Sequence, residues 1–327
     1  LPLMKVSDYL TWLAETLLEQ AVQIAWKNMT AKYGCPDSVV DASVDIGFAI
    51  VGYGKLGGIE LGYSSDLDMV FLYDSNDHGV TNGDRQINNQ LFYIRLGQRV
   101  IHLLSTQTTQ GDLYETDMRL RPSGNSGMLV SSLLAFEKYQ QNEAWTWEHQ
   151  ALVRARFIAG DTALGERFDL VRQKILTSPY ESFNASNQST SLITDVLEMR
   201  DKMKLAAINK FGSEDLAKND IKQGDGGLID IEFITQYGVL SYANKFSGLL
   251  EWTDNIRLLE SLEKYKCFGD VDISPLAEVY RRLRAALHRK SLADEQYQVS
   301  LEEYAEERLA VVNVWQQIFN KSIPKVV

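Results

Sequence analysis

Cysteine, histidine and positive charge are all scarce in this sequence. Only two cysteines, Cys35 and Cys267, occur in 327 residues. They form no motif, so a disulfide framework is excluded and two reduced, unpaired thiols in a cytoplasmic protein are expected. Four histidines, His78, His102, His149 and His288, show no ligand spacing and give a zinc centre no support. Lys and Arg number 33 against 44 Asp and Glu, a net charge of −11. The chain lacks the cationic surplus that neutralises a phosphate backbone, so nucleic acid is not an expected partner. A local basic pocket for a nucleotide is still allowed. No apolar run approaches the ~20 residues that span a bilayer, and no basic stretch followed by an apolar one opens the chain. A membrane is therefore not an expected partner either. Internal repeats and low-complexity segments are absent as well. What remains, at 45% hydrophobic and 24% charged residues, is an ordinary globular composition.

The length suggests about two domains, and a start at Leu1 instead of Met reads as a piece of a longer protein. Residues 7–33 have helical periodicity, with Leu10, Leu13, Leu17, Val22 and Trp26 near one face and Ser7 placed to cap the start. Gly34, Pro36 and Asp37 break it. From Val44 the period changes. VDIGFAIVGYG and DMVFLYD (68–74) are short apolar runs suited to buried strands. A helix is expected next, with Ile87, Leu91, Ile94, Ile101 and Leu104 on one stripe. The stretch 112–122, DLYETDMRLRP, alternates like a strand, with Glu115, Asp117, Arg119 and Arg121 on its polar face. Ser131 or Ser132 opens a helix running to about Arg156. SPYESFNASNQSTS (178–191) reads as a polar linker, and five helical segments follow it. The expected fold class is therefore α+β. A helical segment (1–40) precedes a mixed catalytic domain (41–177), and an all-helical bundle domain (178–327) ends the chain.

The chemistry concentrates in GKLGGIELGYSSDLD (54–68). Asp66 and Asp68 are two apart, so at the start of a strand both carboxylates project to one face. They repel unless a cation lies between them, and Mg²⁺ prefers hard oxygen ligands. Asp117, on another strand, would supply a third carboxylate. Three carboxylates can hold two Mg²⁺ ions roughly 3.5–4 Å apart, the arrangement used for in-line phosphoryl or nucleotidyl transfer. Gly54, Gly57 and Gly58 allow the backbone to approach phosphate oxygens. Lys55, Arg119 and Arg121 add positive charge for a triphosphate. This turn is neither a P-loop nor a Rossmann fingerprint.

The same residues carry a family resemblance. The glycine turn, Ser65-Asp66-Leu67-Asp68, an apolar strand and a later aspartate resemble the nucleotidyltransferase fold of the DNA polymerase β type. GYGKLGGIELGYSSDLDMVFLYD, DMRLRPSGNSGMLVSS, WTWEHQALVRARFIAGD and IKQGDGGLIDIEF, in that order across nearly the whole chain, resemble glutamine synthetase adenylyltransferase, an enzyme with two catalytic halves. The short tail after the helical unit resembles the C-terminal half. The resemblance implies AMP transfer from ATP to a tyrosine of glutamine synthetase, with glutamine and the PII signalling protein as regulators. It implies Asp66, Asp68 and Asp117 as catalytic metal ligands, with Asp117 also a base for the tyrosine hydroxyl. It implies Gly54, Lys55, Gly57, Gly58, Ser65, Arg119 and Arg121 as nucleotide-binding residues. Many transferases of the wider superfamily have Gly-Ser where this chain has Gly54-Lys55, which leaves the role of Lys55 open. Two other readings stay open: phosphorolytic removal of AMP, and a non-catalytic regulatory module binding a PII-type protein.

Several residues carry two readings at this point. Glu115 rivals Asp117, which is favoured. Trp145, Trp147, Glu148 and Gln150 either pack structurally or line the nucleotide cleft. Arg154 and Arg156, two apart on the expected helix, cannot share a face. Lys222, Asp225, Asp230 and Glu232 either begin a helix structurally or close over the active site. The basic run at 280–290 is a solvated face or a contact for an acidic partner.

Overall fold

The computed structural model describes residues 2–39, 46–75, 78–107, 109, 111, 113–179, 191–300 and 302–319. The first half of the chain runs α1 (Leu3–Tyr33), β1 (Phe48–Gly52), α2 (Gly54–Gly57), β2 (Leu67–Tyr73), α3 (Asn89–Ser105), β3 (Thr116–Asp117), β4 (Val130–Ser132), α4 (Leu133–Asn142), α5 (Thr146–Val153), β5 (Arg156–Gly160) and α6 (Thr162–Thr177). Helices alone follow: α7 (Leu192–Phe211), α8 (Glu214–Lys218), α9 (Leu228–Tyr242), α10 (Asn255–Lys264), α11 (Pro275–Leu292) and α12 (Ala305–Phe319). The architecture is thus mixed α/β, then helical. Among the described residues no helix is long and apolar enough to cross a membrane.

The five strands form one mixed sheet in the order β3-β2-β1-β5, with β4 also on β2. β1 is antiparallel to both β2 and β5, whereas β3 and β4 run parallel to successive stretches of β2. Strand alternation divides the core in two. Phe48, Ile50, Met69 and Phe71 face a layer containing Leu18, Val22 and Trp26 of α1 and Phe92, Leu96 and Val100 of α3. Ala49, Val51, Val70 and Leu72 face Phe136 of α4, Leu152 of α5 and Phe168 of α6. A third core joins α7 and α9 to α12 through Val196, Ile231, Leu259, Leu276, Leu283 and Val314. Helix α9 belongs to two cores, because its Val239 packs with the sheet layer. That shared helix fixes the helical half against the sheet.

Local structure departs from the sequence expectation at identifiable places. α1 begins at Leu3, and Ser7 is buried inside it, where its hydroxyl accepts from Arg284 at 2.9 Å instead of capping the helix. The buried stripe of α3 is Phe92, Tyr93, Leu96, Val100 and Leu104, while Leu91 is exposed. The expected 131–156 helix is two helices flanked by the end of β4 and the start of β5. Ser132 does cap α4, accepting from the Ala135 N–H at 3.2 Å. The chain then breaks at Glu143 and Ala144, whose N–H groups both donate to the Tyr139 carbonyl. Most of the 178–191 linker lies outside the described residues.

Candidate functional site

The site lies where the glycine turn after β1 meets the start of β2. Asp68 stands in register with Asp117 across the parallel β2–β3 pair, and in-register residues of paired strands point to one face. The Leu67 N–H donates to the Glu115 carbonyl at 2.9 Å and extends that seam. Asp66, two residues before Asp68, joins them: one carboxylate oxygen from each of Asp66, Asp68 and Asp117 lies within 4.8 Å of the others. Glu115 is exposed and is not part of this group.

The electrostatics are those of a cluster short of positive charge. Burial, then the Asp66 and Asp117 carboxylates, push Asp68 up to about 7, and Lys55 and Lys222 only partly counter them. Asp117 goes the other way. Hydrogen bonds from Arg119 hold it below the ordinary carboxylate range, with Nε at 3.0 Å from Oδ1 and 2.8 Å from Oδ2 and the backbone N–H at 2.8 Å from Oδ1. The Arg119 side chain is 73% exposed, and the charges of Asp68 and Asp66 act on it too. A guanidinium therefore lies beside the carboxylates where a cation is needed. Three hard oxygen donors, one inclined to keep a proton until a cation replaces it, fit a divalent metal ion.

The glycines serve two different purposes. Gly54 has φ +52°, and a Cβ there would lie 2.5 Å from Oδ2 of Asp68. Only glycine lets that carboxylate sit against the backbone. Gly57 and Gly58 instead make room for Arg154: added Cβ atoms would lie 2.0 Å from its carbonyl oxygen and 2.4 Å from its guanidinium, respectively. Ser65 closes the following turn, its hydroxyl accepting from the Gly62 N–H at 2.9 Å. Arg121 donates to the carbonyls of Met118 (2.7 Å), Asn125 (3.3 Å) and Gly127 (3.4 Å), which ties its own loop together. Lys55 is driven below the ordinary lysine range by burial, then by Lys222, with Glu232 and Asp66 opposing.

Behind the turn lies a buried ionic network that the sequence pattern did not reveal. Arg154 is not helical with Arg156: it caps α5, and Arg156 opens β5. The Arg154 guanidinium bonds Glu60, and it reaches Glu232 at 3.2 Å. Glu60 also accepts from the Tyr280 hydroxyl at 2.7 Å and the Asn255 N–H at 3.0 Å, while its carbonyl accepts from Arg284 at 2.9 Å. Burial pushes the Glu60 carboxyl up, but these partners prevail and leave it below its ordinary value. Tyr280 and Arg284 come from the basic 280–290 run, so that run is partly internal. Glu148 and Gln150 are structural: Glu148 accepts from the Tyr139 hydroxyl at 3.0 Å, and Gln150 donates to Gln236 at 3.0 Å. Glu60, the charged member that sequence reasoning missed, had one signal: a carboxylate between the apolar Ile59 and Leu61.

Fold and site together define one class of protein: a mixed α/β chain whose cluster of three carboxylates fits a divalent cation and lies near the half-buried Lys55. The comparisons with known proteins narrow it. Residues 1–171 match the glutamate-ammonia ligase adenylyltransferase family, and residues 197–313 match the GlnD PII-uridylyltransferase family. A Hahella chejuensis protein named bifunctional glutamine synthetase adenylyltransferase/adenylyl-removing enzyme is 48% identical over 98% of this chain and 32% of its own length. Proteins of the same name from Pseudomonas putida and Pseudomonas syringae pv. tomato are each 47% identical over 97% of this chain, and over 33% and 32% of their own lengths. The chain spans about a third of the length of these curated relatives. It belongs to the glutamate-ammonia ligase adenylyltransferase family.

Proposed function

We propose that this chain transfers AMP from ATP to a tyrosine hydroxyl of glutamine synthetase, releasing pyrophosphate and down-regulating nitrogen assimilation. The observation that carries the reading is the convergence of Asp66, Asp68 and Asp117 beside Gly54 and Lys55 in a chain of this family. Residues 41–177 act as a polymerase-β-like nucleotidyltransferase domain, preceded by the helical segment 1–40 and followed by a helical bundle domain at 178–327. The enzyme works in the cytoplasm. Glutamine and a PII-type protein regulate it, a link that the likeness of residues 197–313 to a PII-uridylyltransferase supports.

Asp66, Asp68 and Asp117 would hold Mg²⁺, which supplies positive charge to the phosphates and to the departing pyrophosphate when bound. Lys55 and Arg119 orient the phosphate oxygens, and most of the rate comes from that positioning and charge complementarity. The tyrosine hydroxyl attacks the α-phosphorus in line with the leaving pyrophosphate. Asp117 accepts the hydroxyl proton. Its basicity is low while Arg119 grips both oxygens, so acceptance follows transfer of Arg119 to the phosphates.

Incubation with purified glutamine synthetase and ATP labelled at the α-phosphate is the test, with the label located afterwards. Asp66→Asn and Asp68→Asn should abolish labelling of tyrosine while the fold survives, and full activity in either variant would overturn the assignment. The relatives' names include an adenylyl-removing activity, which favours a second reading, phosphorolysis of the modified enzyme. Adenylylated glutamine synthetase and phosphate would then yield ADP.

A further inference from the structure

We propose that Glu60 is a positioning residue for the reaction: through it the helical half of the chain clamps the glycine turn and holds the Gly54 backbone against the Asp68 carboxylate. The proposal deepens the reading of the site as a nucleotidyl-transfer centre and rests on it.

Left to itself the turn is poorly specified. Its helix, α2, is four residues long, too short to hold its own shape. Ile59 follows at φ +55°. A β-branched residue keeps that conformation only where its surroundings over-determine it. The backbone N–H of Glu60 then donates to the Lys55 carbonyl at 2.8 Å. Lys55 adjoins Gly54, whose backbone lies against Oδ2 of Asp68. Whatever fixes Glu60 is thus passed to the backbone on which Asp68 rests.

The fixing comes from residues 253–291, all inside the stretch that matches the PII-uridylyltransferase family. The Thr253 hydroxyl donates to the Gly57 carbonyl at 2.7 Å. The Asn255 N–H, at the start of α10, and the Tyr280 hydroxyl, on α11, each donate to one oxygen of the Glu60 carboxylate, at 3.0 and 2.7 Å. Arg284 of α11 donates to the Glu60 carbonyl at 2.9 Å. The Asn255 amide in turn donates to the Tyr280 hydroxyl at 2.7 Å, which braces the pair. Two residues before Asp66, the Ser64 hydroxyl lies 2.6 Å from that of Ser291, the α11 residue one turn beyond Leu287. The segment between Gly54 and Asp66 is therefore held at both ends by the helical half. Glu60 is 1% exposed. A buried carboxylate paired with Arg154 adds little net stability. Donors converging on it from Arg154, α10 and α11 instead fix its position, which is the support a preorganised site needs.

Glu60→Gln would strip the buried Arg154 of its nearest counter-charge and endanger the fold, so milder variants carry the test. Tyr280→Phe removes the hydroxyl bonded to Glu60, and Thr253→Val removes the one bonded to Gly57, each with little change of shape. Thr253 is half-buried, so that variant decides the matter if Tyr280→Phe does not fold. Tyr304→Phe is the control: it deletes a hydroxyl bonded to Arg289 at 3.1 Å, the same chemical change on a contact of α11 that the turn does not share. Circular dichroism and urea unfolding give the folded fraction of each. Losing a supporting contact around a metal centre typically costs about 10- to 100-fold in metal affinity or activity. At saturating ATP and Mg²⁺, Tyr280→Phe and Thr253→Val should lower kcat for AMP transfer by about that factor per folded molecule. They should also weaken Mn²⁺ binding measured by calorimetry without nucleotide, and speed hydrogen exchange at the Glu60 amide. Tyr304→Phe should stay within about twofold of wild type throughout. If the two turn variants transfer AMP and bind Mn²⁺ as the control does, the contacts only stabilise the chain and the proposal falls. If wild type transfers no AMP, the nucleotidyl-transfer reading fails, and the Mn²⁺ and exchange measurements still decide whether the clamp positions the carboxylates.

Discussion

Replacing Gly54 by alanine tests the geometry most directly. Two costs follow from the structure and can be separated. Alanine at φ +52° carries a left-handed backbone penalty of ~1–2 kcal/mol. Its Cβ would also lie 2.5 Å from Oδ2 of Asp68, where ordinary contact begins near 3.4 Å. The carboxylate or the turn must therefore move by about 1 Å, and a misplacement of that size costs on the order of 10²-fold in rate. Gly212 supplies the control. It has φ +77° and nothing within 4 Å of an added Cβ, so Gly212→Ala carries the backbone penalty without the collision. Denaturant unfolding should show both variants destabilised by a similar ~1–2 kcal/mol. AMP transfer to glutamine synthetase should fall about 100-fold in Gly54→Ala alone. Equal transfer by the two variants would refute the claim that the backbone at Gly54 places the Asp68 carboxylate.

Asp68, lifted from 3.8 to about 7, gives the metal-free protein a pH dependence of known sign. Between those values the folded chain holds a proton that the unfolded chain has released. Stability therefore falls as pH rises through that window, and Asp68→Asn should flatten the trend in urea unfolding measured with a chelator present. A divalent cation must expel the same proton, so its apparent affinity should weaken about tenfold per unit below pH 7, as titration at two pH values would show. Arg119→Ala should leave stability within ~0.5 kcal/mol, because the side chain is 73% exposed. Without nucleotide it should bind a divalent cation more tightly, since no guanidinium then competes for Asp117, and weaker binding would contradict the assigned geometry.

Much of this was readable in the sequence where one interaction dominates. The apolar runs that became β1 and β2 are buried on both faces, and burial of that kind leaves a continuous apolar signature. The helical segments expected after residue 190 correspond to α7 and α9 to α12; amphipathic spacing marks α10 and α11, whereas α9, which packs into two cores, is marked by its apolar length. The Asp66–Asp68 spacing pointed to one face. Legibility failed where tertiary partners decide. The alternation over 112–122 suggests a long strand, but among the described residues only Thr116 and Asp117 pair in a strand. Arg119 then turns back onto Asp117, and Arg121 bonds carbonyls of its own loop. β5 was missed because ARFIAG continues the apolar pattern of the helix before it. Gly57 and Gly58 are glycine because of Arg154, which lies far along the chain. Lys222 and Asp230 stand out through their glycine-rich motif, whereas the hold of the buried Asp220 on that loop has no local signal.

The short β3 has a consequence for how the centre comes together. Two residues and one flanking amide attach this edge segment to β2, and Asp117 depends on that narrow seam for its place opposite Asp68. An ion gripped by all three acids would rivet the seam shut. Occupancy and edge order would then rise together. Saturation with metal and nucleotide should accordingly slow hydrogen exchange at the Leu67 amide more than at amides inside β1.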